Sequence, residues 1–223
     1  MEIIRAGGLR IGRFVSAQTG TNMYVAVEDK DALVVDAPAV EEVPARLLAL
    51  GVESCTVILT HEHVDHTWGL HALQKALRTR VVCQRACAEA VAGANRPDMV
   101  AVMLAVQDGR NGTNNAEAFL RRYEAHAYAA DVVFGERGVL WWHGERLELF
   151  HTPGHSEGSA CIRWRSVLFS GDSWLRDVPV ITRLPGGSTA RYRERTLPFL
   201  ESAPPQALVL PGHGETFFAG AGK

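Results

Sequence analysis

The chain has 223 residues, of which 47% are hydrophobic, 22% charged and 8% aromatic, a composition typical of a folded globular protein of domain size. This composition excludes an intrinsically disordered, collagen-like or coiled-coil chain. The formal net charge of −2 provides no overall attraction to nucleic acid or to an anionic membrane surface, and the one unusual count is nine histidines.

Short hydrophobic runs rich in β-branched residues recur along the chain and predict the strands of an α/β protein. Few turn residues separate the first two runs, as a hairpin requires, whereas a helix candidate ended by Gly51 separates the second run from the third. The sheet is therefore expected to be mixed. No Pro/Gly/Ser-rich linker divides the chain, so we expect one domain over residues 1–223. The runs lie at 22–27, 32–36, 56–60, 80–84, 146–150, 160–164, 166–170 and 207–211.

Residues 85–130 differ from the rest because they carry helix candidates, at 85–92, 99–107 and 115–129, with a predicted loop at 108–115. The middle helix is apolar nearly all round, so we expect it to be buried or to line an apolar cavity. The pattern predicts a helical insert.

The first residues of the chain contain no apolar stretch of signal-peptide length, and no window approaches the roughly 20 apolar residues that a membrane span needs. We therefore expect a cytoplasmic protein without a membrane partner. The four cysteines show no C-x-x-C spacing, so we expect reduced thiols and no thiolate metal site.

Four candidate metal ligands follow the run at 56–60 within six residues: His61, His63, Asp65 and His66. Alternate residues of an extended segment point the same way, so His61 and His63 can face one point, and the turn that follows directs Asp65 and His66 to a second point nearby. Imidazole and carboxylate are ligands of Zn²⁺, Mn²⁺ and Fe²⁺. Four ligands this close indicate two metal ions.

Three further candidate ligands, His155, Asp172 and His213, each stand beside a glycine just after the end of a hydrophobic run. Ligands in α/β proteins gather at strand ends, where loops converge while the sheet stays packed. We therefore expect seven side chains, five histidines and two aspartates, to form one metal centre.

These motifs resemble those of the metallo-β-lactamase superfamily, and most of all its glyoxalase II-like branch with single-domain members. The matching segments, in family order, are ALVVDAP at Asp36, THEHVDH, HTPGHSEGS, FSGDSW and LPGHGE. The resemblance implies a four-layer αβ/βα sandwich of two mixed β-sheets, with the insert at about 85–130 as an active-site lid.

The resemblance also implies the role of each ligand. One metal ion is expected on His61, His63 and His155, and a second on Asp65, His66 and His213, with Asp172 bridging them. Asp36 is a candidate partner that orients an imidazole from behind. The expected cofactors are two divalent ions, zinc first, with manganese or iron as alternatives.

The implied reaction is hydrolysis of an ester-like carbonyl by a metal-bound hydroxide that Asp65 and Asp172 orient, with a thioester as the leading substrate class and lactones or other esters as alternatives. Antibiotic-hydrolysing members carry Cys or Ser where this chain has Asp172, so we do not expect β-lactam turnover. The chain stops ten residues after His213, so we also expect no C-terminal glutathione-binding segment.

Two other functions remain open at this point: a mononuclear iron persulfide dioxygenase that uses His61, His155 and Asp172, and a non-enzymatic sensor or regulator that retains the fold and metal. The expected partner is a small-molecule substrate and not nucleic acid, with a homodimer left open. The candidate substrate-facing residues in the insert are Met99, Met103, Phe119 and Tyr123.

Overall fold

The computed structural model describes residues 1–93, 98–176 and 178–222, and these residues form two β-sheets. The first sheet has seven strands in chain order. Strands β1 to β4 pair antiparallel and β4 to β7 pair parallel, so the sheet is mixed, as predicted. The strands are β1 (Glu2–Ala6), β2 (Leu9–Val15), β3 (Asn22–Glu28), β4 (Asp31–Val35), β5 (Ser54–Ile58), β6 (Arg78–Gln84) and β7 (Val132–Phe134).

The second sheet has six strands in the order β13-β12-β11-β10-β9-β8. Neighbours are antiparallel except for β11 and β12, which are parallel. Strands β9, β11 and β12 therefore run in one direction, and their carboxyl ends lie at the same edge of the sheet. The strands are β8 (Arg137–Trp142), β9 (Glu145–His151), β10 (Ala160–Trp164), β11 (Val167–Gly171), β12 (Leu208–Pro211) and β13 (Phe217–Phe218).

Both faces of each sheet are covered. Along β3, Tyr24 faces the core shared with the second sheet, and Val25 faces a second core beneath helices, because successive side chains of a strand alternate between faces. A third core covers the outer face of the second sheet, where Leu200 packs against Leu168 and Val209. The layers are helix, sheet, sheet and helix, which confirms the predicted αβ/βα sandwich.

The helices connect the strands and cover the outer faces. A five-residue π-helical turn, Tyr192–Thr196, joins the last two α-helices of the chain. A 3₁₀ turn covers Ala219–Gly222. Among the described residues, none of the helices has the length and apolar character needed to cross a membrane. They are α1 (Glu42–Ala49), α2 (Val64–Thr67), α3 (Leu70–Ala76), α4 (Arg85–Val91), α5 (Asp98–Asn111), α6 (Asn115–Arg122), α7 (Thr189–Arg191) and α8 (Leu197–Glu201).

The connection between β6 and β7 carries the three predicted helices, α4 to α6, with different ends. Helix α5 runs through residues 108–111, which we predicted as a loop. It ends before Gly112, whose φ of +65° and bond to the Asp108 carbonyl form a left-handed helix terminus. Helix α6 ends at Arg122 rather than at 129. On α5, Leu104 is buried and Val102 is exposed, so only part of this apolar helix is buried.

Candidate metal centre

The structure brings the seven predicted ligands together at one edge of the sandwich. The first sheet provides the residues that follow β5, and the second sheet provides those that follow β9, β11 and β12. Within the described residues, three groups of side chains have ligand atoms within 4.8 Å of one another. They are His61, His63 and His155; His61, His66 and Asp172; and Asp65, His66 and His213.

The first group is a cluster of three imidazoles. Nε2 of His61 and Nε2 of His155 each lie 3.0 Å from Nδ1 of His63. The opposite nitrogen of His155, Nδ1, donates to the carbonyl oxygen of Ile181 at 2.8 Å, so in the neutral ring Nε2 carries a lone pair. The lone pairs of these rings can therefore converge on one point, as a metal ion requires.

His61 is oriented in the same way from behind. Its Nδ1 lies 3.0 Å from the hydroxyl of Thr60, and that hydroxyl donates its own proton to Asp36 Oδ2 at 2.8 Å. The Thr60 oxygen is then the acceptor for His61 Nδ1–H, which leaves Nε2 as the lone-pair atom that faces the cluster.

The group of Asp65, His66 and His213, called the second group below, lies beside the three imidazoles. Nε2 of His213 is 3.2 Å from Asp65 Oδ2, and Nε2 of His66 is 3.7 Å from the same oxygen. Thr21 donates its hydroxyl proton to Asp65 Oδ2 at 3.1 Å, and its backbone forms a β-bridge with His213. The turn before β3 thus fixes two members of this group relative to each other.

Asp172 connects the two groups. Its Oδ2 lies 3.5 Å from Nε2 of His155 and 3.6 Å from Nε2 of His213, and its Oδ1 lies 3.5 Å from Nε2 of His66. One carboxylate therefore reaches imidazoles of both groups. Gly212 leaves the space for it, because a Cβ at this position would lie 2.2 Å from Asp172 Oδ1 and 2.7 Å from His66 Cε1.

The donor set fits metal ions because it contains buried polar atoms that form no hydrogen bond with the part of the chain that the structure describes. Within the described residues, three buried side-chain polar atoms have no hydrogen-bond partner, and two of them are His66 Nε2 and Asp172 Oδ1. A buried polar atom without a partner is costly, and a coordinated cation would remove that cost at both atoms. The residues present therefore suit divalent ions that accept nitrogen and oxygen ligands.

Asp36, the predicted orienting residue, contacts one ligand directly. Its Oδ2 lies 2.8 Å from Nδ1 of His66, and its Oδ1 accepts the backbone N–H of Thr60 at 2.7 Å. The residue adopts a φ of +58°, a left-handed conformation that aspartate tolerates better than most residues. Its carboxylate, at the end of β4, thereby reaches the segment after β5.

The charges of the two central carboxylates follow from their neighbours. Burial opposes ionisation of Asp65 and Asp172, but the imidazoles around them, His66 and His213 among them, lower both pKa values below the usual range. Both side chains are therefore anionic at neutral pH, with exposed fractions of 13% and 11%.

The imidazoles divide into two classes. Burial and the neighbouring rings lower the pKa of His61, and they lower that of His63 to about 4, so both rings are neutral. Burial also disfavours a charge on His66, but the carboxylates of Asp36, Asp65 and Asp172 raise its pKa to about 10. The oxygens that favour this proton would also favour a metal cation in its place.

A cavity of about 400 Å³ opens onto the centre. Its floor contains His63, Asp65 and Asp172, and much of its wall is apolar. The apolar side chains come from the start of α2, from α5 and from the segment after β11. They belong to Val64, Val100, Met103, Leu175, Val178, Ile181 and Leu184.

Of the four predicted substrate-facing residues, the structure places Met103 in the cavity wall. The side chain of Met99 lies outside the described residues. Phe119 and Tyr123 do not line the cavity: Phe119 is fully buried against Val64, and the Tyr123 ring stacks on it with centroids 5.6 Å apart. The apolar positions of α6 hold α5 in place instead of facing a ligand.

Three groups that orient the candidate ligands were not predicted from the sequence. These groups form hydrogen bonds with one candidate ligand each: the Thr60 hydroxyl with His61, the Thr21 hydroxyl with Asp65, and the Ile181 carbonyl with His155. A threonine beside a metal motif was a usable signal, but a backbone carbonyl has no signature in the sequence.

Glu62, inside the motif itself, was also missed. Its Oε2 accepts the hydroxyl proton of Ser156 at 3.0 Å, and its Oε1 lies 3.5 Å from the backbone nitrogen of Gly158. Glu62 therefore holds the loop that carries His155.

Comparison with known proteins identifies relatives of this chain. A family model described as the Metallo-beta-lactamase superfamily matches residues 17–213. The acyl-coenzyme A thioesterase MBLAC2 of Homo sapiens is 30% identical over 167 residues, which are 73% of this chain and 57% of that protein. The hydroxyacylglutathione hydrolase of Aeromonas salmonicida is 25% identical over 91% of this chain and 64% of that protein. The chain thus spans less than two thirds of these relatives.

A solved structure shares the architecture. The BLEG-1 B3 metallo-beta-lactamase superimposes with a TM-score of 0.73 and 23% identity, over 94% of this chain and 94% of that one. At this identity the match supports the fold.

Proposed function

This chain belongs to the metallo-beta-lactamase superfamily, and on that premise we propose that it is a hydrolase that cleaves thioesters with two divalent metal ions. The observation that carries the proposal is the carboxylate of Asp172, which reaches imidazoles of both ligand groups and has one buried oxygen without a hydrogen-bond partner among the described residues. A carboxylate in this position suits a bridge between two ions.

Two sets of side chains would hold the ions. His61, His63 and His155 supply three nitrogens for one ion, and Asp65, His66 and His213 supply an oxygen and two nitrogens for the other, with Asp172 shared. When bound, such ions lower the pKa of a coordinated water to about 7 and polarise a carbonyl group.

The residues of the chain position the reactants. Asp65 and Asp172 are anionic acceptors in the floor of the cavity, so they can accept hydrogen bonds from a water molecule and orient it towards a carbonyl carbon. In the overall reaction, water adds to the thioester carbonyl, the C–O bond forms, the C–S bond breaks, and the thiol leaves with one proton from the water.

The lining of the cavity favours an ester-like carbonyl over a nucleic-acid phosphodiester. Among the described residues that line it, one is an arginine or lysine, Arg176, while Glu62, Asp65 and Asp172 are acidic. A nucleic-acid phosphodiester would need several cationic contacts. An ester-like carbonyl needs none, and an apolar wall suits its organic substituent.

The relatives support the choice of a thioester within the ester-like class. One is named as an acyl-coenzyme A thioesterase and the other as a hydroxyacylglutathione hydrolase, and coenzyme A and glutathione are both thiols. We therefore propose a small-molecule acyl thioester as the substrate.

A mononuclear iron oxygenase is the competing proposal, and the site gives it less support. Its ligands would be His61, His155 and Asp172, which would leave the cluster of Asp65, His66 and His213 without a purpose. The complete second cluster favours the binuclear proposal.

The test combines metal analysis with a substrate panel. Protein purified without added metal is analysed by mass spectrometry for bound metal, and is then assayed with an acyl-coenzyme A, a hydroxyacylglutathione, a lactone, a phosphodiester and a persulfide. We expect two divalent ions per chain and thioester hydrolysis that a chelator abolishes and added metal restores. One iron per chain with oxygen consumption on the persulfide would overturn the proposal, as would a doubly loaded protein that leaves both thioesters intact.

A further inference from the structure

We infer that the apolar wall of the cavity is the binding site for an aliphatic acyl chain, so that the preferred substrates are fatty acyl thioesters. This inference rests on the proposed function, because it assigns the wall to one part of the thioester.

The wall is built from two separate elements. Val100 and Met103 come from α5, and Leu175, Val178 and Ile181 come from the segment after β11. Three of these side chains remain accessible although they are apolar: Met103 is 40% exposed, Ile181 43% and Val178 56%. Exposed apolar side chains that gather around one cavity mark a ligand site more often than scattered ones do.

The position of the wall indicates which part of the substrate it contacts. The carbonyl must lie at the floor, near His63, Asp65 and Asp172, so its two substituents extend along the cavity. A thiol carrier such as coenzyme A or glutathione is polar and charged, and burying it against aliphatic side chains would cost free energy. The hydrocarbon chain on the other side of the carbonyl matches the wall.

From Ile181 onwards, the segment after β11 is fixed to the loop of His155, so the Ile181 part of the wall has a defined position relative to the floor. The carbonyl of Ile181 accepts the Nδ1–H of His155, and the backbone N–H of Ser188 donates to the Gly154 carbonyl at 2.8 Å. Between these points, Gly187 packs closely enough that a Cβ there would lie 2.7 Å from the Thr182 carbonyl oxygen. A fixed wall favours chains up to a defined length.

Chain length provides a quantitative test. Each methylene group buried against the wall should raise kcat/KM about fourfold until the chain exceeds the cavity. We would measure hydrolysis of acetyl-, butanoyl-, hexanoyl- and octanoyl-coenzyme A by the metal-loaded protein. In parallel, calorimetry would measure the binding of the free C4, C6 and C8 fatty carboxylates, which does not depend on turnover.

Two exposed neighbours on α5 supply matched variants. Met103 lines the cavity, whereas Val102, with 63% exposure, is not among its lining residues. Met103→Glu places a charge in the wall and should lower kcat/KM for the octanoyl thioester, and the affinity for the C8 carboxylate, at least tenfold. Val102→Glu adds the same charge one residue away and should leave the chain-length dependence as in the wild type.

The outcomes separate the two proposals. Thioester hydrolysis without any chain-length dependence, or equal effects of Met103→Glu and Val102→Glu, would overturn the acyl-chain site and leave the thioesterase proposal standing. If no thioester is cleaved but carboxylate affinity still rises with chain length and falls in Met103→Glu, the acyl-chain site stands and the proposed reaction is wrong.

Discussion

Asp36 Oδ2 lies 2.8 Å from Nδ1 of His66, on the edge of the ring opposite the Nε2 atom that faces the metal centre. The same carboxylate accepts the backbone N–H and the hydroxyl proton of Thr60. Asp36 therefore fixes the direction of the His66 ring without itself being in one of the three groups.

Replacing this carboxylate should weaken metal binding with little change in the backbone. In Asp36→Asn, asparagine tolerates the φ of +58°, but its amide has one acceptor oxygen for the donors of Thr60 and His66. We expect metal affinity to fall about 10- to 100-fold, measured by competition with a chromophoric chelator. The control is Asp31→Asn. Asp31 also accepts two hydrogen bonds, from Ser54 and Trp142, but it contacts none of the candidate ligands, so this variant should keep wild-type metal affinity. Wild-type affinity in Asp36→Asn would contradict the orienting role.

Asp172 should be required for loading both sites. Asp172→Asn keeps the size of the side chain but removes the negative charge that the structure places between His155 and His213. We expect metal content to fall from two ions per chain to one or fewer, and hydrolysis to fall at least 100-fold. Mutating a residue that only orients a metal ligand already lowers activity by up to about 100-fold, and Asp172 would be a ligand itself. Metal analysis and steady-state kinetics measure both effects, and full metal content with full activity would refute the bridging role.

Glu62 should act through the loop that carries His155. In Glu62→Ala the hydroxyl of Ser156 loses its carboxylate acceptor, so the loop becomes less ordered. We expect metal affinity and kcat to fall about tenfold, with partial recovery in Glu62→Gln, which retains one acceptor oxygen. The control is Glu89→Ala on the exposed face of α4. A drop in melting temperature with unchanged metal affinity would show that Glu62 is only structural.

The metal-free protein should lose stability when acidified from about pH 6.5 to pH 4. Burial is the main cause that lowers the pKa of His63 from 6.5 to about 4, and the neighbouring His155 is the second. Between these pH values the unfolded chain therefore binds a proton that the folded chain excludes. The free energy of unfolding therefore decreases as the pH is lowered, by at most about 3 kcal/mol for this residue. Urea unfolding in the presence of a chelator measures the change, and a constant or rising stability on acidification would contradict it.

The convergence of the candidate ligands could be predicted from sequence because they follow the ends of hydrophobic runs. His61 and His213 follow runs that became β5 and β12, and parallel strands place their carboxyl ends at one edge. Strands β1 and β2 were missed because Arg5, Arg10 and Arg13 interrupt their apolar residues. Of these, Arg13 is buried, and it pairs with Glu2 and Glu215, a distant contact that local patterns do not reveal.

The lining of the cavity was harder to predict. The periodicity of α6 marks Phe119 as inward-facing, but it does not say whether the inside is protein or a ligand cavity. Ile181 and Val178 lie in a segment without regular structure, so no periodicity pointed to them. Their position depends on how that segment crosses the loop of His155, which is a tertiary relationship.

The division of the ligands between the two sheets has a consequence for the order of assembly. The first sheet is complete at Phe134, and each of the three ligand groups contains a residue from that part of the chain and one from His155, Asp172 or His213. During synthesis, the described residues of the first half can therefore offer no complete group. A complete group would therefore be loaded only after the second sheet has docked, and a bound ion would then act as a cross-link between the two halves that resists their separation.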